Sequence, residues 1–337
     1  MMRRAALLLT ACLAACPAFA FATTAAAAGK TAAGKAAGSP AGNPAAAAKN
    51  PRAFQFGVIG HAFKADADEA LLKRAISEVS LEKPVFIVAT GIKSASEPCS
   101  DKLYAQRKEV LDESPRPIIV SPAGSDWTAC RNSAGRSNAI ERLNRIREVF
   151  YPNNQSLGIQ PLTLTRLSAT AKFRSYAENA YWEHGPVLFA TLNLPAKNNH
   201  FLLEAGRNSE FEDRLVANRA WLHRLFAMAQ RRGVEGIVLF SDGDLGAHVE
   251  EGYSLLGGFS EKQDGFTQVR KQVRALAEKF KGKVLLVDNQ GDAKSTPTIT
   301  WRGNLGHLGL GVEWEAVRVQ PGSPALFTLM GSADAVP

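Results

Sequence analysis

The chain has 337 residues, 45% of them hydrophobic and 21% charged, with a formal net charge of +8. Six basic residues and no acid fall in the first 52 positions, which leaves 34 Lys and Arg facing 32 Asp and Glu in the rest. That remainder is nearly neutral and holds no aromatic-rich basic motif, so it lacks the electrostatic footprint of a nucleic-acid binder.

Arg3 and Arg4 precede an almost wholly apolar stretch, Ala5 to Ala15, and Ala18-Phe19-Ala20 makes a small-x-small cleavage site. Residues 1–20 therefore read as an export signal, too short to span a bilayer stably. Leu13-Ala14-Ala15-Cys16 also matches a lipoprotein cleavage box, in which the Cys16 thiol takes a lipid. The expectation is a periplasmic or secreted protein, with a membrane-anchored lipoprotein as the alternative. Residues 21–52 are Ala, Gly, Lys, Pro, Ser and Thr with little else, a composition that cannot bury enough apolar surface to offset its ordering entropy. They are expected to form a disordered tether to one large domain, 53–337. No later apolar run reaches membrane-spanning length, so no transmembrane helix is expected in the mature chain.

From Ala53 strand and helix signals alternate. Phe54 to Ile59 is a short apolar run ending in Gly60, and Asp66 to Val79 carries apolar residues at helical spacing. Val85 to Ala89 precedes a helix near Asp101 to Leu111, and Ile118 to Val120 precedes a long polar loop and a helix near Ile140 to Phe150. Val187 to Leu194 reads as a strand, and Glu210 to Arg231 as a long helix with Leu215, Ala220, Leu222, Leu225 and Phe226 on its apolar stripe. Ile237 to Phe240, a helix near Phe266 to Phe280, and Val284 to Val287 continue the pattern. Gly303, Gly306, Gly309 and Gly311 read as a tight antiparallel turn, while Ile299 to Trp301, Val312 to Val319 and Leu326 to Leu329 read as strands. An α/β core with an antiparallel C-terminal part is implied, and in such sheets ligands meet the loops at the carboxyl ends of the strands.

Cys12 and Cys16 belong to the signal, which leaves Cys99 and Cys130. A disulfide is the natural reading in an oxidising compartment, two buried thiols the other.

Those loops carry a resemblance. Gly57-Val58-Ile59-Gly60-His61, Ile92-Lys93-Ser94 with Cys99-Ser100-Asp101, Ser125-Asp126-Trp127-Thr128-Ala129-Cys130, Arg142-Leu143 with Arg147 and Phe150, and Leu192-Asn193-Leu194-Pro195 with Asn198-Asn199 look like bacterial exported calcineurin-like phosphoesterase-type proteins. The resemblance implies a metallophosphoesterase-like α/β sandwich of mixed β-sheets flanked by helices. Active members hold two divalent metals about 3.5–4 Å apart and make hydroxide from a bridging water. Here the first metal-binding Asp of the family falls at His61, the Gly-Asp pair at Thr90-Gly91 and the Asn at Ser125, while the late histidines fall across Asp288-Asn289-Gln290-Gly291-Asp292. The bridging carboxylate is missing, and glycine binds no metal through a side chain.

The acids Asp126, Asp242, Asp244, Asp288 and Asp292 remain near predicted strand ends, with His61 and His248 as nitrogen donors, and His61, Asp126, Asp244, Asp288 and Asp292 stand as the metal-ligand remnants. An oxygen-rich set of this kind favours one hard cation such as Ca²⁺ or Mg²⁺, whereas Asp in Asp-Gly turns ordinarily supports the turn alone. His61 is also placed as a general base at the sheet mouth, against the plainer reading of a solvated loop histidine. Trp127 reads as core packing, with ligand stacking as the sharper option. No catalytic residue and no cofactor are expected. The functional expectation is a non-catalytic, exported pseudoenzyme that binds an unknown ligand or envelope protein; the alternative is a metal-dependent phosphoesterase with a remodelled site and one divalent ion.

Overall fold

In β1 (Phe54–Ile59) successive side chains leave on opposite sides, so Phe56 and Val58 enter one apolar core and Ile59 another. Gly57 lets α1 (Glu69–Leu81) lie close on the second side, where a Cβ would stand 2.5 Å from Val79 Cγ2. The computed structural model describes residues 52–60, 62, 69–203, 208–249 and 264–330. Residues 1–51, where the sequence leads one to expect an export signal, a lipid-bearing Cys16 and most of a tether, lie outside the described residues, as does His61.

Parallel to β1 run β2 (Ile87–Thr90) and then β3 (Ile118–Ser121). On its other edge β1 pairs antiparallel with β11 (Trp314–Val319), and β12 (Phe327–Leu329) completes a five-stranded sheet, β12-β11-β1-β2-β3. Its outer face is covered by α1, α2 (Asp101–Asp112) and α3 (Ala139–Phe150), through Leu72, Tyr104, Leu111, Leu143, Ile146 and Phe150. Ser100 starts α2 by accepting a hydrogen bond from the Leu103 N–H at 3.2 Å.

The second sheet has seven strands in the order β4-β5-β6-β7-β8-β10-β9. They are β4 (Thr165–Arg166), β5 (Ala180–His184), β6 (Val187–Thr191), β7 (Gly236–Phe240), β8 (Lys283–Asp288), β9 (Thr300–Arg302) and β10 (Leu305–Gly309). The central four, β6, β7, β8 and β10, are parallel; the edges are antiparallel. A four-residue turn, α4 (Ala196–Asn199), follows β6 and leads towards α5 (Ser209–Arg232), which with α6 (Thr267–Lys279) covers the outer face. The ends of α5 suit its dipole, Glu210 and Glu212 at the start and Arg231 and Arg232 at the close, before Gly233 stops it at φ 63°.

The two inner faces meet in an aromatic core. Phe86 and Phe189 pack edge to face with centroids 4.8 Å apart, and Phe56, Trp182 and Phe240 surround them. The architecture is the mixed α/β sandwich flanked by helices that the sequence implies. One segment differs: Leu305 to Gly309 is no tight turn but strand β10, in parallel register with β8. Its glycines serve close approach, since a Cβ on Gly306 would stand 2.7 Å from the Trp301 ring. Among the described residues no helix is long and apolar enough to cross a membrane.

Candidate functional site

Six strands, β1, β2, β3, β6, β7 and β8, deliver their carboxyl ends to one cleft of about 250 Å³ between the sheets. Gly60, Gly91, Ser125, Lys197, Asp242 and Asn289 each come to its wall from a different one of these strands. This is where an open α/β sheet places its ligands.

The carboxylates at this cleft are occupied by the backbone. Asp126 is fully buried; its Oδ1 accepts from the Ile92 and Lys93 N–H groups at 2.9 and 3.1 Å, and its Oδ2 from the Ala123 N–H at 2.7 Å. One side chain thus fixes the loops after β2 and β3. Burial, opposed by those three N–H groups, pushes its carboxyl up to about 7. Asp242 Oδ2 accepts from Gly124 N–H at 2.8 Å and Ala196 N–H at 2.7 Å, which ties the loops after β3, β6 and β7. Gly91 has φ 90°, and a Cβ on it would meet Ala123 Cβ at 3.3 Å. The Lys93 ammonium is spent too, donating to the carbonyls of Ser94 at 2.7 Å and Glu97 at 3.0 Å.

The wall formed by α4 is strained. Lys197, Asn198, Asn199 and His200 all have φ between 51 and 62°, a left-handed turn of non-glycine residues. A set of buried hydrogen bonds holds it. Asn199 donates to the Gly265 carbonyl at 3.0 Å, Asn198 Oδ1 accepts from the Gly265 N–H at 2.8 Å, and Arg214 grips Asn199 from α5. Trp127 is fully buried between His200 and Arg214, so it packs the base of this turn. Cys99 and Cys130 form a disulfide with Cα atoms 5.9 Å apart, joining the loops after β2 and β3 beside the cleft.

Asp244 and Asp288 come together elsewhere, with two histidines. His307 Nε2 lies 2.6 Å from Asp288 Oδ2 and 3.7 Å from Asp244 Oδ1, and His248 Nδ1 lies 3.8 Å from that same Oδ1. The two imidazoles stack with centroids 3.8 Å apart. Asp244, His248 and His307 are able to act together as metal ligands. Asp288 shares the face of Val284 and Leu286, and His307 that of Leu305, so the cluster lies on the helix-covered side of the sheet, away from the inter-sheet cleft. Asp292 joins neither group; it is exposed and accepts from the Lys294 N–H and the Ser295 hydroxyl, each at 3.0 Å.

His307 is the residue that the sequence reading undervalued, ranking it below His61 and placing it in a glycine-rich turn. Its signal was the alternation Leu305, His307, Gly309 against Leu308 and Leu310, a strand period masked by glycines.

No protein-family model matches this chain. No curated protein matches it either. A solved structure described as a novel phosphatase from Mycoplasma pneumoniae overlaps 80% of this chain and 89% of its own, at 10% identity and a TM-score of 0.40.

Proposed function

We propose that this is an exported, non-catalytic binding protein whose inter-sheet cleft receives a small polar ligand. The commitment of Asp126 and Asp242 carries the reading. Two-metal hydrolysis needs carboxylates or imidazoles free to coordinate, and these two acids instead accept five backbone N–H groups from the loops that form the cleft. Spending them on loops makes a rigid, preformed wall, which suits binding. The left-handed turn at Lys197 to His200 supports the same reading, because backbone strain persists where the surrounding structure enforces it and gathers at ligand clamps. The Cys99–Cys130 bridge supports action in an oxidising compartment.

A metal-dependent phosphoesterase with a remodelled site is the second reading, and the Asp244, His248, His307 group is the observation that favours it. Its position on the far side of the sheet from the cleft weighs against it. The test is hydrolysis of an activated phosphoester by the purified protein with Mn²⁺ or Zn²⁺. Background rates are expected; metal-dependent turnover abolished by Asp244→Ala would establish the second reading. A thermal-shift screen of small polar metabolites should give hits that Ser125→Trp, which fills the cleft, removes.

A further inference from the structure

We propose that Asp244, His248 and His307, with Asp288, form a site for one divalent transition-metal ion of the Zn²⁺ class on the helix-covered face of the seven-stranded sheet.

The donor set and its spacing make the case. Two imidazoles and two carboxylates suit Zn²⁺ and its neighbours, whereas the hard cations prefer oxygen alone. With metal–ligand bonds of about 2.1 Å in tetrahedral geometry, donor atoms stand roughly 3.4 Å from one another. Asp244 Oδ1 already stands 3.7 Å from His307 Nε2 and 3.8 Å from His248 Nδ1, so a contraction of a few tenths of an ångström, with one imidazole rotating out of the parallel stack so that both nitrogen lone pairs meet the ion, encloses it. Asp288 Oδ2, 2.6 Å from His307 Nε2, lies outside the 4.8 Å that the other three donor atoms share, and serves as a fourth donor by turning towards the ion and exchanging its hydrogen bond to that nitrogen for a bond to the metal.

Two further observations point the same way. His248 Nδ1 is buried and has no hydrogen-bond partner, a costly state for an imidazole nitrogen that a metal bond relieves. The loop that brings Asp244 and His248 is also fastened in advance. Gly246 N–H donates to Asp244 Oδ1 at 2.6 Å, and Arg270 and Arg274 bind the carbonyls of Leu245, Gly246 and Ala247 from α6. An ion bound here joins the loop after β7 to β8 and β10. Entry is from the Asp244 side, whose side chain is 34% exposed against 2% for Asp288.

The experiment uses the purified protein, stripped with a chelator and titrated with Zn²⁺ by calorimetry and with Co²⁺ by visible absorbance. One ion per chain is expected, with intense Co²⁺ bands of a four-coordinate site, a higher unfolding midpoint, and no competition from Mg²⁺. His248→Ala should weaken binding by more than the roughly 10–100-fold that loss of an outer partner costs. Asp244→Asn, at the exposed edge, gives the same reading if His248→Ala does not fold. His223→Ala, on the exposed side of α5, should leave the affinity unchanged. Absence of saturable Zn²⁺ and Co²⁺ binding overturns the proposal. So does stoichiometric binding that survives both His248→Ala and Asp244→Asn, because the ion then sits elsewhere.

Discussion

Arg214 holds Asn199 by both ends, Nη1 donating to the side-chain Oδ1 at 2.5 Å and Nη2 to the backbone carbonyl at 2.9 Å. Glu210 completes the arrangement by pairing with Arg214 at 2.7 Å and with His200 at 3.3 Å. Burial raises the Glu210 carboxyl, but His200 and Arg214 outweigh it and hold it down to about 2.

This clamp supports the left-handed turn beside the cleft, so Asn199→Ala should cost about 2–3 kcal/mol by leaving buried groups of Arg214 and Gly265 unpaired. Lys197→Gly should be close to neutral, since relief of about 1–2 kcal/mol of left-handed strain is set against glycine's added chain entropy. Urea unfolding measures both. Equal losses in the two variants would show that the turn is not under the strain argued here.

Reduction of the Cys99–Cys130 bridge, or Cys130→Ser, should destabilise the domain by about 3.5 kcal/mol, the entropy of closing a loop of 31 residues. Unfolding with and without reductant gives the comparison, and a change under about half a kcal/mol would contradict it.

Asp126 makes stability depend on pH with a defined sign. Its folded carboxyl is pushed up to about 7, while an unfolded aspartate titrates near 3.9. Between these values the unfolded chain has released a proton that the folded chain keeps. The contribution of Asp126 is therefore fullest below about pH 4 and is lost as pH rises towards 7, at no more than about 1.4 kcal/mol per unit. Comparing the wild type with Asp126→Asn across pH 4 to 8 isolates this slope; parallel curves would refute it.

Deleting residues 21–49 should leave the unfolding midpoint within about a degree or two, because after Phe21 that segment is almost wholly Ala, Gly, Lys, Pro, Ser and Thr. A drop well beyond that would mean the segment docks on the domain.

The alternation of strands and helices was legible because apolar periods of two and of 3.6 survive in single segments, as in Phe54–Ile59 and Ser209–Arg232. The short strands Thr165–Arg166 and Ala180–His184 were not, since the first has only two residues and the second, a hairpin arm of β6, is brief and ends in the polar pair Glu183-His184. Asp126 and Asp242 were visible as acids near strand ends, yet nothing local told that backbone N–H groups would claim them. The Asp244, His248, His307 group spans 64 residues and is assembled by the successive parallel pairings of β7 with β8 and β8 with β10, a register no window of sequence contains. The left-handed turn had a trace in Asn198-Asn199, the residue type that best tolerates that conformation after glycine.

The end of β8 makes neighbours of two environments that never meet. Asp288 looks outward to His307, and Asn289, one peptide later, looks inward to the cleft. A single peptide therefore belongs to both, and a substitution at either residue touches the backbone that carries the other.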